Sequence, residues 1–94
     1  MIKSVSFIIP VYNEEKRISN IYNWINWLKK NTDNCELVLS LNGCNDETEK
    51  LVKEIEYKHL KIVISEKRGR GYAIIKALNN TKKKYACICS IDNA

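Results

Sequence analysis

Four short stretches of this chain carry polar groups beside turn residues, and each group suits one part of a phosphorylated, hydroxyl-bearing ligand. Tyr12 offers a flat face for a base, and Glu14, two residues on, accepts hydrogen bonds of the kind ribose hydroxyls donate. Asn42 and Asp46 flank an Asn-Gly turn with short polar heads. Lys67, Arg68 and Arg70 bring positive charge for phosphate oxygens, and Gly69 and Gly71 among them let the backbone approach an anion closely. Asp92 is a carboxylate suited to Mg²⁺ or Mn²⁺, and such a cation bridging a diphosphate neutralises charge that side chains do not reach. The set predicts a site for a nucleoside diphosphate.

Each member also has a plainer role. Tyr12 is equally a loop aromatic, Glu14 a first-turn partner of a helix dipole, and Asn42, Gly43 and Asp46 a turn and a cap. The basic loop is equally a solvated one, and Asp92 a cap for the next element of the chain. The flanking glycines favour the anion site, and the elements that must hold these groups decide whether the groups meet.

Ser4 to Pro10 is a β-branched and aromatic run ended by a proline, hence a first strand. Asn13 then caps a helix with Glu14 and Glu15 in its first turn, Ile18, Ile21, Tyr22, Ile25 and Leu28 on its apolar face, and Lys29 and Lys30 in its last turn. Glu36 to Leu41 is a second strand, and Asp46 with Glu49 forms a capping-box-like start to a helix continuing through Leu51, Val52 and Ile55. Leu60 to Ile64 is a third strand, followed by the basic loop and a helix whose apolar side is Ile74, Ile75 and Leu78. Tyr85 to Ile91 is a fourth strand, after the solvated turn Lys82-Lys83-Lys84. Strands alternating with helices predict an α/β fold, a Rossmann-like three-layer sandwich with a parallel sheet of about four strands. Ligands of such sheets sit beyond the carboxyl ends of the strands, where strand order reverses. All four polar stretches fall there.

Composition narrows the class. Sixteen basic against eleven acidic residues leave +5 on 94 residues, and 45% are hydrophobic, which sustains one packed core and excludes a disordered chain. One domain spanning 1–94 is expected. There is no membrane-spanning run, and the start shows no cleavable leader, so a cytoplasmic protein is expected. Cys35, Cys44, Cys87 and Cys89 include no C-x-x-C pair, and the single histidine, His59, is remote in sequence from the thiols, so packing is expected for them rather than zinc. Trp24 and Trp27 are likewise assigned to packing. The charge does not predict nucleic-acid binding, because no element carries a basic stripe interleaved with aromatics.

Taken in order, Ile8-Ile9-Pro10-Val11-Tyr12-Asn13-Glu14-Glu15, Leu41-Asn42-Gly43-Cys44-Asn45-Asp46-Glu47-Thr48, Arg68-Gly69-Arg70-Gly71-Tyr72-Ala73 and Ser90-Ile91-Asp92 resemble the nucleotide-binding half of family 2 inverting glycosyltransferases with the GT-A fold. The resemblance covers essentially the whole chain. It implies that Pro10, Tyr12, Glu14 and Asn42 hold the base and ribose of a UDP- or GDP-linked sugar, and that Asp92 binds Mg²⁺ or Mn²⁺ with the diphosphate. Arg68 and Arg70 are added as phosphate partners from their charge. Two departures stand out: Asn42 replaces the usual Asp, and Ala94 replaces the second Asp of the metal motif, implying a weakened metal site. The resemblance also implies an acceptor-binding half and a catalytic base beyond this stretch, so no catalytic residue is assigned and the chain is expected to be incomplete as a catalyst on its own. An uncovered sheet edge after the fourth strand predicts self-association or a partner chain. The alternative reading is a non-catalytic α/β nucleotide-binding or regulatory module.

Overall fold

Ile8, Ile9, Leu37, Val38 and Leu39 are all inaccessible to solvent. Neighbouring residues of a strand point to opposite faces, so burial of both sets requires a sheet covered on both sides. The computed structural model, which describes residues 1–66 and 69–92, shows that sheet. In chain order the elements are β1 (Ile2–Lys3), β2 (Val5–Val11), a 3-10 turn (Glu15–Arg17), α1 (Ile18–Asn31), β3 (Thr32–Asp33), β4 (Glu36–Asn42), α2 (Thr48–Lys53), β5 (Leu60–Ser65), α3 (Arg70–Leu78) and β6 (Tyr85–Ile88). The main sheet is parallel, in the order β5-β4-β2-β6, with Ile9 level with Leu39 and Ile8 level with Ile88. The chain steps outward from β2 to β4 to β5 and then returns to the far side of β2, so strand order reverses between β2 and β6. β1 and β3 form a separate two-residue parallel pair that the residue pattern does not predict.

One face of the sheet carries the larger core. Phe7, Ile9, Leu37, Leu39 and Leu41 pack there against Ile21, Trp24, Ile25 and Leu28 of α1 and Val52 of α2. The rings of Phe7, Trp24 and Trp27 meet at 5.9–6.3 Å, the two edge-on contacts involving Trp27. On the other face Ile8, Val38 and Val63 meet Ala77. Ala73 and Ala77, both fully buried, let α3 lie close enough for the Ser40 hydroxyl to donate to the Ala73 carbonyl at 2.9 Å. At the other end of the strands Glu36, 8% exposed, accepts from the Ser6 hydroxyl and the Lys82 backbone N–H, tying the entry to β6 to the sheet.

Pro10 lies inside β2 rather than at its end, and the register explains why it is tolerated. The Cys89 N–H donates to the Ile8 carbonyl, so the backbone of Ile8 faces β6, as does that of Pro10 two residues on. β6 ends level with Ile8, so no ladder bond is lost at the proline. The two strands part at this point, which opens a crevice between them.

Several expectations are corrected. Ser4 has φ +57° and separates β1 from β2 instead of opening a strand. Asn13, with φ +47°, does not cap α1; its side chain turns to Asn45, and a 3-10 turn precedes a helix that begins at Ile18. Asp46 accepts from the Thr48 N–H, but Glu49 pairs with Lys53 instead of closing a capping box. Tyr22 is exposed. On α3 the buried side is Ala73 and Ala77, while Ile75 is 61% and Leu78 42% exposed. β6 ends at Ile88, although Ile91 is buried in the larger core. Cys87 is exposed rather than packed, and its sulfur lies 3.7 Å from that of half-buried Cys89. Burial, with the Cys87 contact second, pushes the Cys89 thiol up to about 12. A thiol so weakly acidic is a poor nucleophile, so alkylation at pH 8 with mass-spectrometric readout is expected to label Cys87 well before Cys89.

Candidate functional site

The crevice at the strand reversal is the mouth of a cleft of about 590 Å³. β2 and the turn after it contribute Pro10, Tyr12, Glu14 and Arg17; β4 contributes its last residue, Asn42. Gly69 and Arg70 enter at the N-terminus of α3, and Ser90, Ile91 and Asp92 come after β6. The Asp92 segment is anchored from beneath: Ile91 is buried, and the Trp24 indole N–H donates to the Ser90 carbonyl at 3.2 Å. The first two loops are clamped together. The Asn13 amide donates to Asn45 Oδ1 at 2.8 Å while Asn13 Oδ1 accepts from the Asn45 N–H at 3.0 Å.

Gly69 shapes the third wall. Its φ of +128° is a conformation L side chains rarely adopt, and it lets the chain turn directly into α3, aiming the first turn of that helix at the cleft. Among the described residues, its chain neighbours aside, no atom lies within 4 Å of the place a Cβ would take, so the penalty argued for Gly69→Ala is one of backbone strain. That substitution is expected to cost about 1–3 kcal/mol, read as a lowered urea midpoint.

Two acceptors in the cleft lack a hydrogen bond among the described residues. Asn42, 6% exposed, has an unpaired buried Oδ1, and Glu14 has a buried Oε2 whose contact is an ion pair, 3.4 Å from Arg17 Nη1, without hydrogen-bond geometry. Buried acceptors left unpaired are costly, and a ligand that brings N–H or O–H donors removes that cost. Arg17 Nη1 also lies 3.2 Å from both oxygens of Asp92. Cationic groups at Arg17 and Arg70 thus stand beside carboxylates at Glu14 and Asp92, and the α3 N-terminus adds positive potential.

The donor set fits a cation of a particular kind. Glu14 and Asp92 offer hard carboxylate oxygens, the ligands that Mg²⁺ and Mn²⁺ prefer. Among the described residues no three carboxylate, imidazole or thiolate groups cluster, so the protein's contribution suits a cation shared with phosphate oxygens and water rather than one caged by protein alone.

Six residues singled out from the sequence, Pro10, Tyr12, Glu14, Asn42, Arg70 and Asp92, line this one cleft. Arg68 and Lys67 lie outside the described residues. Asp46 does not line the cleft; it faces a neighbouring hollow with Asn13 and Glu15. Burial works against the charge of Asp46, but hydrogen bonds around Thr48, including the N–H at 2.9 Å, outweigh it and hold the carboxyl below 3.8. Arg17 was missed. Its one local signal is the Glu14-x-x-Arg17 spacing, which brings two such side chains to one side of a helical turn.

The sequence profile described as Glycosyl transferase family 2 matches residues 6–93. This chain belongs to glycosyl transferase family 2. A similar curated member is the dolichyl N-acetyl-alpha-D-glucosaminyl phosphate 3-beta-D-2,3-diacetamido-2,3-dideoxy-beta-D-glucuronosyltransferase of Methanococcus voltae, 33% identical over 89 residues, covering 89% of this chain and 27% of that protein. Another, the UDP-N-acetylglucosamine–dolichyl-phosphate N-acetylglucosaminyltransferase of the same organism, is 43% identical over 54 residues, covering 57% of this chain and 20% of that one. Among solved structures, glucosyl-3-phosphoglycerate synthase from Mycobacterium tuberculosis, in complex with Mn²⁺, UDP and glucosyl-3-phosphoglycerate, superposes with a TM-score of 0.71 at 22% identity. That match covers 93% of this chain and 33% of the synthase, and it establishes the GT-A, Rossmann-like fold expected from the sequence. The family 2 chain therefore spans between a fifth and a third of the length of these proteins. No helix among its described residues is long and apolar enough to cross a membrane.

Proposed function

We propose that residues 1–94 form a single nucleotide-diphospho-sugar-binding domain, the donor-binding part of an inverting family 2 glycosyltransferase that moves a hexosyl group. The observation that carries this reading is the convergence, at the strand reversal, of two buried acceptors without a hydrogen bond among the described residues, Asn42 Oδ1 and the ion-paired Glu14 Oε2, with two arginines and the Asp92 carboxylate. Asn42 Oδ1 suits a ring N–H of a base, and Glu14 Oε2 suits a ribose hydroxyl. Tyr12 at the rim offers a stacking face, and Pro10 forms the floor where β2 and β6 part. Arg70, the α3 N-terminus and Arg68 serve the phosphates. A uridine donor is favoured over a guanosine one by two similar proteins, the UDP-N-acetylglucosamine–dolichyl-phosphate N-acetylglucosaminyltransferase and the synthase in complex with UDP.

Asp92 would hold Mg²⁺ or Mn²⁺, which would supply charge neutralisation for the departing diphosphate. The site is weaker than a two-carboxylate motif because Ala94 brings no donor. The acceptor-binding half and the base that takes the acceptor proton are assigned to further polypeptide, in keeping with the small share of its relatives that this chain spans. A reducing, cytoplasmic setting is in keeping with a low cysteine content and no C-x-x-C pair. Calorimetric titration with UDP and GDP, with and without Mn²⁺, tests the reading. Saturable binding strengthened by Mn²⁺ supports it, and absence of binding to both nucleotides overturns it.

We further propose self-association along β6, with a partner chain on the same edge as the alternative. All four of its residues are exposed, its outer edge has no strand partner among the described residues, and Tyr85 and Ile88 are 58% and 46% exposed. Such an apolar edge is a template for strand pairing with a second copy. Light scattering is expected to show a concentration-dependent dimer that Ile88→Lys abolishes; a monodisperse monomer at high concentration rules it out.

A further inference from the structure

Arg17 stands where the negative charge of the cleft converges. One nitrogen, Nη1, lies 3.2 Å from both oxygens of Asp92 and 3.4 Å from Glu14 Oε2, so the guanidinium bridges two carboxylates that are 78 residues apart in the chain. The Asp92 oxygens are those a divalent cation at this site would use, and a cation and a guanidinium repel one another across so short a span. The bridge contributes little to the fold. The Arg17 and Asp92 side chains are 52% and 55% exposed, and ion pairs that open to water add little to stability. Its consequence is instead the charge it places on Asp92. Meanwhile Glu14 Oε2 is sealed from water without a hydrogen bond, and Asn42 Oδ1 is unpaired nearby, so the cleft is built for ligands its own side chains do not replace.

We propose that Arg17 is a resident counter-ion that competes with a divalent cation for Asp92, which makes the cleft on its own a poor metal site. The lone carboxylate left by Ala94 sharpens the competition, because Asp92 has no neighbouring motif carboxylate to hold the cation when Arg17 is engaged. The inference rests on the proposed role of Asp92 in holding the cation. It adds a residue that sets how tightly the cation is held and that belongs neither to the metal motif nor to the basic loop.

The test is Mn²⁺ binding without nucleotide, monitored by the spin-resonance signal of free Mn²⁺, for the chain and for Arg17→Gln and Arg17→Lys. Removing one positive charge at this distance is expected to tighten Mn²⁺ binding by about tenfold in Arg17→Gln. Arg17→Lys keeps the charge and is expected to stay within about twofold of the parent. Circular dichroism checks folding, and Arg17→Ala replaces the glutamine variant if that one does not fold. Unchanged or weaker Mn²⁺ binding in a folded, neutral variant overturns the proposal. UDP titration of the parent chain separates the two ideas: UDP bound with no Mn²⁺ gain in Arg17→Gln sinks this inference alone, and a Mn²⁺ gain with no UDP bound sustains it and sinks the donor-binding reading.

Discussion

Asp92→Ala is expected to abolish the strengthening of nucleotide binding by Mn²⁺. In the presence of Mn²⁺ the variant loses the carboxylate that would share the cation with the diphosphate, a charge-assisted contact of about 1.5–3 kcal/mol, or roughly ten- to a hundredfold in affinity for UDP. In EDTA the same substitution removes a negative charge from beside the phosphates and releases Arg17, whose Nη1 otherwise lies 3.2 Å from both Asp92 oxygens. Affinity there is expected to stay level or rise. Paired calorimetric titrations in Mn²⁺ and in EDTA check both halves. An equal loss in the two buffers would mean that Asp92 acts by shaping the segment after β6 rather than through a cation. The segment has its own anchors in Ile91 and the Trp24 bond to Ser90, which is why the loop is expected to keep its place without the carboxylate.

The largest expected effect on stability is that of Leu39→Ala. Leu39 is inaccessible to solvent at the centre of β4, level with Ile9 on one side and Ile62 on the other, inside the core beneath α1 and α2. Truncation loses the transfer energy of the side chain and leaves a cavity between the sheet and the helices that strands held in register cannot close, a cost of about 2–5 kcal/mol. Small domains have roughly 5–15 kcal/mol in total, so a large part of the stability goes. Urea denaturation is expected to show a much lower midpoint with an unchanged slope. A shift too small to resolve in the midpoint would mean that this core is not packed as described. Because Leu39 does not line the cleft, the folded fraction is expected to bind UDP with unaltered affinity.

The site was legible to the extent that its residues stand next to local punctuation. The Asn42-Gly43 turn and the Gly69-Arg70-Gly71 run mark the end of a strand and the start of a helix, Pro10 stands one residue short of the end of β2, and in a parallel sheet those ends lie on one rim. Six of the residues chosen on that basis line a single cleft. Asp46 was also chosen and lies outside it, because the Asx-type bond to Thr48 turns its carboxylate toward the neighbouring hollow. Asn13 illustrates the same limit. Its type and place suit a helix cap, yet its partner is Asn45, 32 residues away, across two loops that only the pairing of β2 with β4 brings together.

The sequence by itself determined the alternation of strands and helices, the apolar face of α1 through Ile21, Ile25 and Leu28, and the family, since all of these are written in spacings of a few residues. Tertiary structure alone decided which side of α3 is buried. Ranking by hydrophobicity selects Ile74, Ile75 and Leu78, but a helix lying close on a sheet needs small residues at the contact, and Ala73 and Ala77 supply them. It also decided that Arg17 meets Asp92. That contact spans 75 residues and exists because strand order reverses between β2 and β6, setting the turn after one beside the end of the other, a consequence of sheet topology that no local pattern encodes.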